Sequence, residues 1–223
     1  MQRPSEYKCI YFLATLYMSL MTLSAILGYK LIATPLGVLA GASLVSPSWF
    51  MVGDMITEVY GFKTVMKLFW SVIICQFIFA TVCWLVIRLP SPAYWHGQEG
   101  YELVCGHLLR IAIFQLIGIT IAWNINARLL SKWKVLLRGR FFWLRSIGSS
   151  GIGLIIFSII SVFPAIYGMF PLHEVISIVA WSCALKFIFT ILLAGPSNLV
   201  VIFLKAYEGV DEYSHSLRFN PFK

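Results

Sequence analysis

The chain has 223 residues, of which 60% are hydrophobic and only 12% are charged. A soluble domain is about half apolar and about a quarter charged, so this composition leaves too little polar surface to face water and excludes an ordinary soluble domain. The formal net charge is +8. We interpret the basic excess as membrane topology rather than nucleic-acid binding, because the basic residues lie in short connections between apolar runs.

Six apolar runs predict an all-α membrane protein, with six transmembrane helices in one bundle and a single transmembrane domain over residues 1–223. The predicted spans are about 9–28, 36–55, 65–87, 108–127, 147–168 and 175–204. Residues 54–67 are compatible with either a loop or a buried helix, because Pro47 precedes them inside the second span. The last span is longer than a bilayer requires, which predicts either tilt or a break at Gly195-Pro196.

The basic residues are distributed unevenly between the two sides of this arrangement. Of the 17 Lys and Arg residues, only Lys30, Arg88 and Arg110 lie on the side opposite the termini, and Lys186 lies within a span. Cytoplasmic loops are enriched in Lys and Arg, so both the N- and the C-terminus are predicted to be cytoplasmic. The most polar connection, residues 88–107, is predicted to lie at the membrane interface and is compatible with a short helix.

Two carboxylates, Asp54 and Glu58, stand in a stretch that is otherwise apolar and aromatic. A spacing of four residues places them on one face of a helix. Charged groups are costly inside a membrane, so a pair that remains there is a candidate functional site, with a solvated helix end as the alternative. Trp49 and Phe50 precede the pair and offer flat apolar faces.

A small set of polar residues is predicted inside the other spans. Gln115 and Asn126 share one face of the fourth span, where they are compatible with substrate contact or with helix–helix hydrogen bonds. Arg145 begins the fifth span and is compatible with a simple boundary charge. Lys186 lies about eleven residues into the sixth span, too deep to reach the interface, so it requires an acidic partner or a water-filled cavity.

No catalytic or phosphate-binding motif is present, and the five cysteines show no metal spacing. We therefore predict that the chain is not an enzyme and uses no cofactor or metal. A few buried polar groups in a six-helix bundle favour a pathway for a small molecule. Two other classes stay open: a substrate-binding subunit that borrows an ATPase from partner chains, as in energy-coupling-factor importers, and a non-transporting membrane scaffold.

The segment DMITEVYGF at residues 54–62, followed by Lys63 and Trp70, resembles the bacterial queuosine precursor transporters, also called the vitamin-uptake-like family. Supporting segments are FWLRSIGSS at 142–150, the apolar run between Lys186 and Pro196, and KAYEGVDEY at 205–213. The resemblance covers nearly the whole chain. It implies a homodimeric importer in the bacterial inner membrane for a 7-deazaguanine base such as preQ0, preQ1 or queuine, with the lipid bilayer around it and no nucleic-acid partner.

That resemblance, combined with the chemistry of the base, suggests roles for the buried residues. A carboxylate accepts the neighbouring N1–H and amine donors of a guanine-like ring, so either Asp54 or Glu58 is predicted at the ring edge. The other acid would bind a substrate amine or a cationic side chain, Lys186 or Arg145. The ring carbonyl would accept a hydrogen bond from Gln115, Asn126 or Lys186, and the rings of Trp49, Phe50 and Trp181 would stack on the base.

The chain departs from the family pattern in its fourth and fifth spans. Many members carry further acids there, at positions that correspond to Gly118 and to Leu154 or Phe157 in this chain. Fewer groups remain that can exchange a proton, so the resemblance leaves open the energy source and the choice between neutral and cationic bases.

Overall fold

A computed structural model describes residues 7–35 and 37–213 of the chain. The elements in chain order are α1 (Ile10–Ile26), a 3-10 turn (Leu27–Tyr29), β1 (Leu31–Thr34), β2 (Gly37–Ala40), α2 (Ala42–Ile87), α3 (Gln98–Cys105), α4 (Leu108–Leu136), α5 (Phe142–Phe157), a π turn (Ser158–Val162), α6 (Phe163–Ile166) and α7 (Leu172–Glu208). Within these residues, five helical stretches are long and apolar enough to cross a membrane: Ile10–Tyr29, Ala42–Ile87, Gln98–Leu136, Phe142–Ile166 and Leu172–Glu208. The chain is a helical membrane protein.

Helix α2 does not run straight but folds back on itself at Gly61. The rings of Phe50 and Phe69 lie 5.6 Å and 6.2 Å from the same indole ring, that of Trp123. In a straight helix these two phenylalanines would stand about 28 Å apart along the axis. Residues 42–60 and 62–87 therefore form two arms packed side by side.

The turn requires glycine. Gly61 has φ 79° and ψ 167° inside the long helix, a backbone conformation that is essentially restricted to glycine because a Cβ atom would clash with the neighbouring backbone. The sequence was compatible with either a loop or a buried helix over residues 54–67, and the chain reversal at Gly61 lies within that segment. The structure makes that segment helical on both sides of one non-helical residue.

Gly61→Ala is expected to lower the free energy of unfolding by about 1–3 kcal/mol, because alanine must adopt a strained backbone there. The melting temperature of purified protein in detergent measures the effect. Gly195→Ala is the matched control, because Gly195 lies inside α7 with open space around its Cα. That control should be neutral or stabilising, since alanine favours a helix. Equal melting temperatures for both variants would contradict a backbone constraint at Gly61.

The predicted all-α membrane class fits the structure, which adds one small two-stranded antiparallel sheet. It pairs Leu31 with Ala40 and Thr34 with Gly37, and the backbone N–H of Ala40 donates to the hydroxyl of Ser182 on α7. The second span was predicted from about residue 36, whereas residues 37–40 form β2 and the helix begins at Ala42. A short apolar run such as this one looks the same in a span and in a buried strand, so composition could not place the boundary.

Neither Pro47 nor Pro196 interrupts its helix, although a proline inside a helix tends to kink or break it. Pro47 lies six residues into α2, and the helix continues through it; α7 likewise continues through Pro196 to Glu208. The excess length of the last span is therefore not relieved by a break at Gly195-Pro196. The connection 88–107 contains the short helix α3, as its composition allowed.

Contacts bring both described ends of the chain to one end of the bundle. The carboxylate of Glu208 at the end of α7 accepts hydrogen bonds from the backbone N–H groups of Lys8 and Cys9, at 3.0 and 2.6 Å, and from the Tyr60 hydroxyl at 2.8 Å. We call this the terminal end; it includes the Gly61 turn and the connection 137–141. The opposite end, which we call the hairpin end, holds β1, β2 and the connection 88–107. The termini themselves lie outside the described residues.

Candidate functional site

Three of the predicted site residues, Phe50, Asp54 and Glu58, lie along one face of the first arm of α2. Ser46, Phe50, Asp54 and Glu58 follow one another at intervals of four residues, so they form one stripe from the hairpin end to the terminal end. The stripe passes a cavity, an aromatic layer, a neutral polar cluster and an ionic cluster. Each of these is a distinct environment.

The neutral polar cluster surrounds Asp54, which is completely buried. One carboxylate oxygen, Oδ2, accepts hydrogen bonds from the hydroxyls of Ser146 at 2.5 Å and Ser150 at 2.6 Å, both on α5. The other oxygen, Oδ1, accepts one from the Asn126 side-chain amide at 2.7 Å. Among the described residues, no Lys, Arg or His nitrogen lies within 4.0 Å of this carboxylate. Asp54 is thus held by neutral donors alone.

Asn126 leaves one acceptor unused beside this carboxylate. Its NH2 group must face Asp54, because the opposite orientation would bring two acceptor oxygens together. Its Oδ1 atom is buried and has no hydrogen-bond partner among the described residues. A carboxylate offers about four lone-pair sites, and Asp54 uses three of them. Two acceptor positions, one on Asp54 and one on Asn126, therefore have no donor among the described residues.

The ionic cluster surrounds Glu58, one helical turn towards the terminal end. Arg145 binds both carboxylate oxygens of Glu58, at 2.8 and 3.0 Å. Lys205 donates to Oε1 at 2.8 Å, and the Lys134 ammonium lies 3.9 Å from the same oxygen. Glu58 and Arg145 are each only 1% exposed. A carboxylate bound by Arg145 and Lys205, with Lys134 beside it, acts as a structural junction between helices.

A segment following α7 completes this cluster. Asp211 lies 2.6 Å from Lys134 and 2.9 Å from Lys205, and the Glu212 backbone N–H donates to the Val59 carbonyl at 3.2 Å. Partial burial acts to raise the pKa of Asp211, but the hydrogen bonds from Lys134 and Lys205 bring that pKa below its ordinary value. Asp211 is therefore ionised at neutral pH. With it, the cluster contains three cations and two anions.

The aromatic layer separates Asp54 from the hairpin end. Trp49 and Phe50 are each 1% exposed, and their rings lie 4.2 Å apart. Phe157 of α5 closes the layer, with its ring 5.7 Å from Trp49 and 6.2 Å from Phe50. At Gly153, a Cβ atom would come within 3.1 Å of Asn126 and 3.2 Å of Phe50. Helix α5 thus approaches so closely that these rings block the direct route to Asp54.

A small cavity of about 50 Å³, part of it open to the outside, lies on the other side of this layer. Among its lining residues are Ser43, Ser46, Gln115, Phe157 and Lys186. The hydroxyls of Ser43 and Ser46 and the Gln115 carbonyl oxygen are buried without a hydrogen-bond partner among the described residues. A small-molecule site has this character: apolar walls and a few convergent polar groups.

The structure separates residues that the sequence treated as one site. Asp54 and Asn126 lie together, Glu58 and Arg145 lie in the ionic cluster, and Gln115 and Lys186 line the cavity. Lys186 contacts neither acid. Trp181 is 39% exposed and packs over Gly37 of the small sheet, so it does not belong to the aromatic layer. The described residues contain no cluster of His, Cys, Asp and Glu that could hold a metal ion.

Sequence reasoning missed several partners of the two acids. Ser146 and Ser150 are four residues apart within FWLRSIGSS, so their common helix face was visible in the sequence. Lys134 gave no signal, because nothing in the sequence distinguishes it from the other basic residues between Arg128 and Arg145. Lys205 and Asp211 both occur in KAYEGVDEY, but nothing in that segment predicts a contact with α2.

A protein-family model described as "Putative vitamin uptake transporter" matches residues 40–200. This range contains the whole stripe from Ser46 to Glu58 and the partner residues on α4 and α5. No curated protein and no solved structure matches the chain.

Proposed function

We propose a function for this chain from the family to which it belongs, the vitamin uptake transporters. The chain imports a 7-deazaguanine base across the bacterial inner membrane. This base is a precursor of queuosine, such as preQ0, preQ1 or queuine. Family membership supports a membrane transporter of vitamin-like solutes. The deazaguanine substrate is inferred from the chemistry around Asp54 and from the resemblance described above.

The observation that carries the proposal is the pair of open acceptors formed by Asp54 and Asn126. A guanine-like ring has two adjacent donors, N1–H and the exocyclic amine. These donors fit the remaining lone pair of Asp54 Oδ1 and the unpartnered Asn126 Oδ1. An unpaired buried acceptor costs about 1–3 kcal/mol, so a ligand that supplies its donor gains binding energy. Adenine lacks this donor pair, because its N1 is an acceptor.

We take the two arms of α2 as separate membrane crossings. The arms contain 19 and 26 residues, which corresponds to about 28 Å and 39 Å of helix, enough for a hydrocarbon core of about 30 Å. The bundle then crosses the membrane six times, and the terminal end faces the cytoplasm because most basic residues lie there. The cavity faces the outside.

This orientation suggests a route for the base. It enters the cavity at the hairpin end, passes the rings of Phe50 and Phe157, and binds at Asp54. The ionic cluster around Glu58 closes the cytoplasmic side beyond that site. Transport requires that the aromatic layer and the ionic cluster open alternately, so that the base is never connected to both sides at once.

Uptake of a labelled deazaguanine base tests the proposal in bacterial cells that lack both their own importer and the route to synthesise queuosine. Cells that express the chain should accumulate the label and restore queuosine in their tRNA, and excess adenine should not compete. Absence of uptake by cells with normal levels of the protein in the membrane would overturn the proposal.

A further inference from the structure

Lys186 is a buried cation with no counter-ion among the residues that the structure describes. Its side chain lines the cavity, and the residue is 2% exposed. Its ammonium group makes one hydrogen bond, to the Ser158 hydroxyl at 3.1 Å, and lies 5.6 Å from the centre of the Phe157 ring. No carboxylate lies within 4.0 Å of it in the described part of the chain.

This arrangement is costly unless a ligand uses it. A buried charge is normally paired, and an ammonium group has three N–H donors, of which Ser158 accepts one. Ser158 belongs to the π turn between α5 and α6. The one polar partner of the Lys186 ammonium group among the described residues therefore lies at an irregularity in the backbone, and π turns occur frequently at functional sites. Lys186 lines the cavity together with Gln115, Ser43 and Ser46, each of which has a buried atom with no hydrogen-bond partner among the described residues.

We infer that Lys186 selects the solute by charge, accepting a base with a neutral, electron-rich substituent and rejecting one with a cationic substituent. The inference rests on the proposed function. It concerns the part of the cavity beside Lys186, where the 7-substituent of the base would lie. A nitrile or a carbonyl oxygen accepts a hydrogen bond from the ammonium group. An aminomethyl group is itself a cation and would be placed beside another cation in a low-dielectric cavity.

The two acids do not remove this repulsion. Glu58 is fully engaged by Arg145 and Lys205 in the ionic cluster, and Asp54 lies beyond the aromatic layer. A cationic base in the cavity would therefore meet Lys186 without a compensating carboxylate. The structure thus favours the neutral 7-cyano base over the 7-aminomethyl base.

Equilibrium binding of these two bases to the purified full-length chain tests the inference. The wild-type protein should bind the 7-cyano base at least tenfold more tightly than the 7-aminomethyl base. Lys186→Met should bring the two affinities within about threefold of each other, whereas Lys186→Arg should keep the preference. Lys30→Met is the control, because Lys30 is exposed at the same end of the bundle, and it should leave both affinities unchanged.

The outcomes distinguish the inference from the function on which it rests. Equal binding of the two bases by the wild-type protein would overturn the role of Lys186 and leave the transporter proposal intact. A preference that survives in a folded Lys186→Met protein would do the same. Failure of both bases to bind would overturn the proposed function and the inference together. The wild-type comparison needs no variant, so it decides the question even if Lys186→Met does not fold.

Discussion

Replacement of Asp54 by asparagine is expected to reduce uptake of a deazaguanine base by about 5- to 13-fold in kcat/KM while the protein still folds. The substitution removes the negative charge that strengthens the hydrogen bonds to the base; charged bonds contribute about 1.5–3 kcal/mol and neutral ones about 0.5–1.5 kcal/mol. Ser146 and Ser150 can rotate their hydroxyls to accept from the new amide, so the surrounding hydrogen bonds persist. Initial rates of labelled-base uptake, normalised to the amount of protein in the membrane, measure the effect.

Glu174→Gln is the matched control for this variant. It makes the same carboxylate-to-amide change at an exposed residue in the first turn of α7, and uptake should stay within about twofold of wild type. If Asp54→Asn transports at the wild-type rate with normal membrane levels, Asp54 does not bind the substrate.

Removal of the Glu58 charge is expected to have the largest effect on stability. Glu58→Gln leaves Arg145 almost completely buried and in contact with no carboxylate of the described residues, and loss of one partner of a buried pair typically costs about 3–5 kcal/mol. The melting temperature in detergent and the resistance of the terminal end to proteolysis should both fall. Glu99→Gln, at an exposed position of α3, should change neither.

A double variant separates the ion pair from simple disruption of packing. Glu58→Gln combined with Arg145→Met removes both charges, so it should lose less stability than the sum of the two single variants. Additive losses would show that Glu58 and Arg145 stabilise the bundle independently and that the ionic cluster does not act as a unit.

The membrane class and the pair of acids on one helix face could be predicted because both depend on short-range patterns. Apolar runs identify spans, and a four-residue spacing fixes a face whatever the surrounding fold. The different environments of the two acids could not be predicted. Whether Asp54 meets hydroxyls and Glu58 meets cations depends on which turn of α5 lies beside each, and that register follows from packing between distant segments.

The chain reversal at Gly61 is a second feature that the sequence alone could not predict. Tyr60-Gly61 was a visible signal, but glycine inside a membrane helix is common and does not by itself predict a turn. Pro47 carried the stronger rule for a break, yet α2 continues through it. The deciding fact is that Phe50 and Phe69 both pack on Trp123, a contact between three separate segments of the chain.

For Lys186, the sequence predicted two alternatives, and the structure favours one of them. Its depth in the last span required either an acidic partner or a cavity. The structure places it at a cavity and away from Asp54 and Glu58. The sequence could not make this choice, because the acids and Lys186 lie on helices whose relative depth is set by the whole bundle.

Transport by the purified chain in liposomes, with no other protein present, tests the central claim most directly. Vesicles that contain the wild-type chain should take up a labelled 7-deazaguanine base saturably, with inhibition by excess unlabelled base, and vesicles with Asp54→Asn should show little uptake above empty vesicles. Wild-type vesicles that take up the base no faster than empty ones would contradict the claim that this bundle alone moves the base past Asp54.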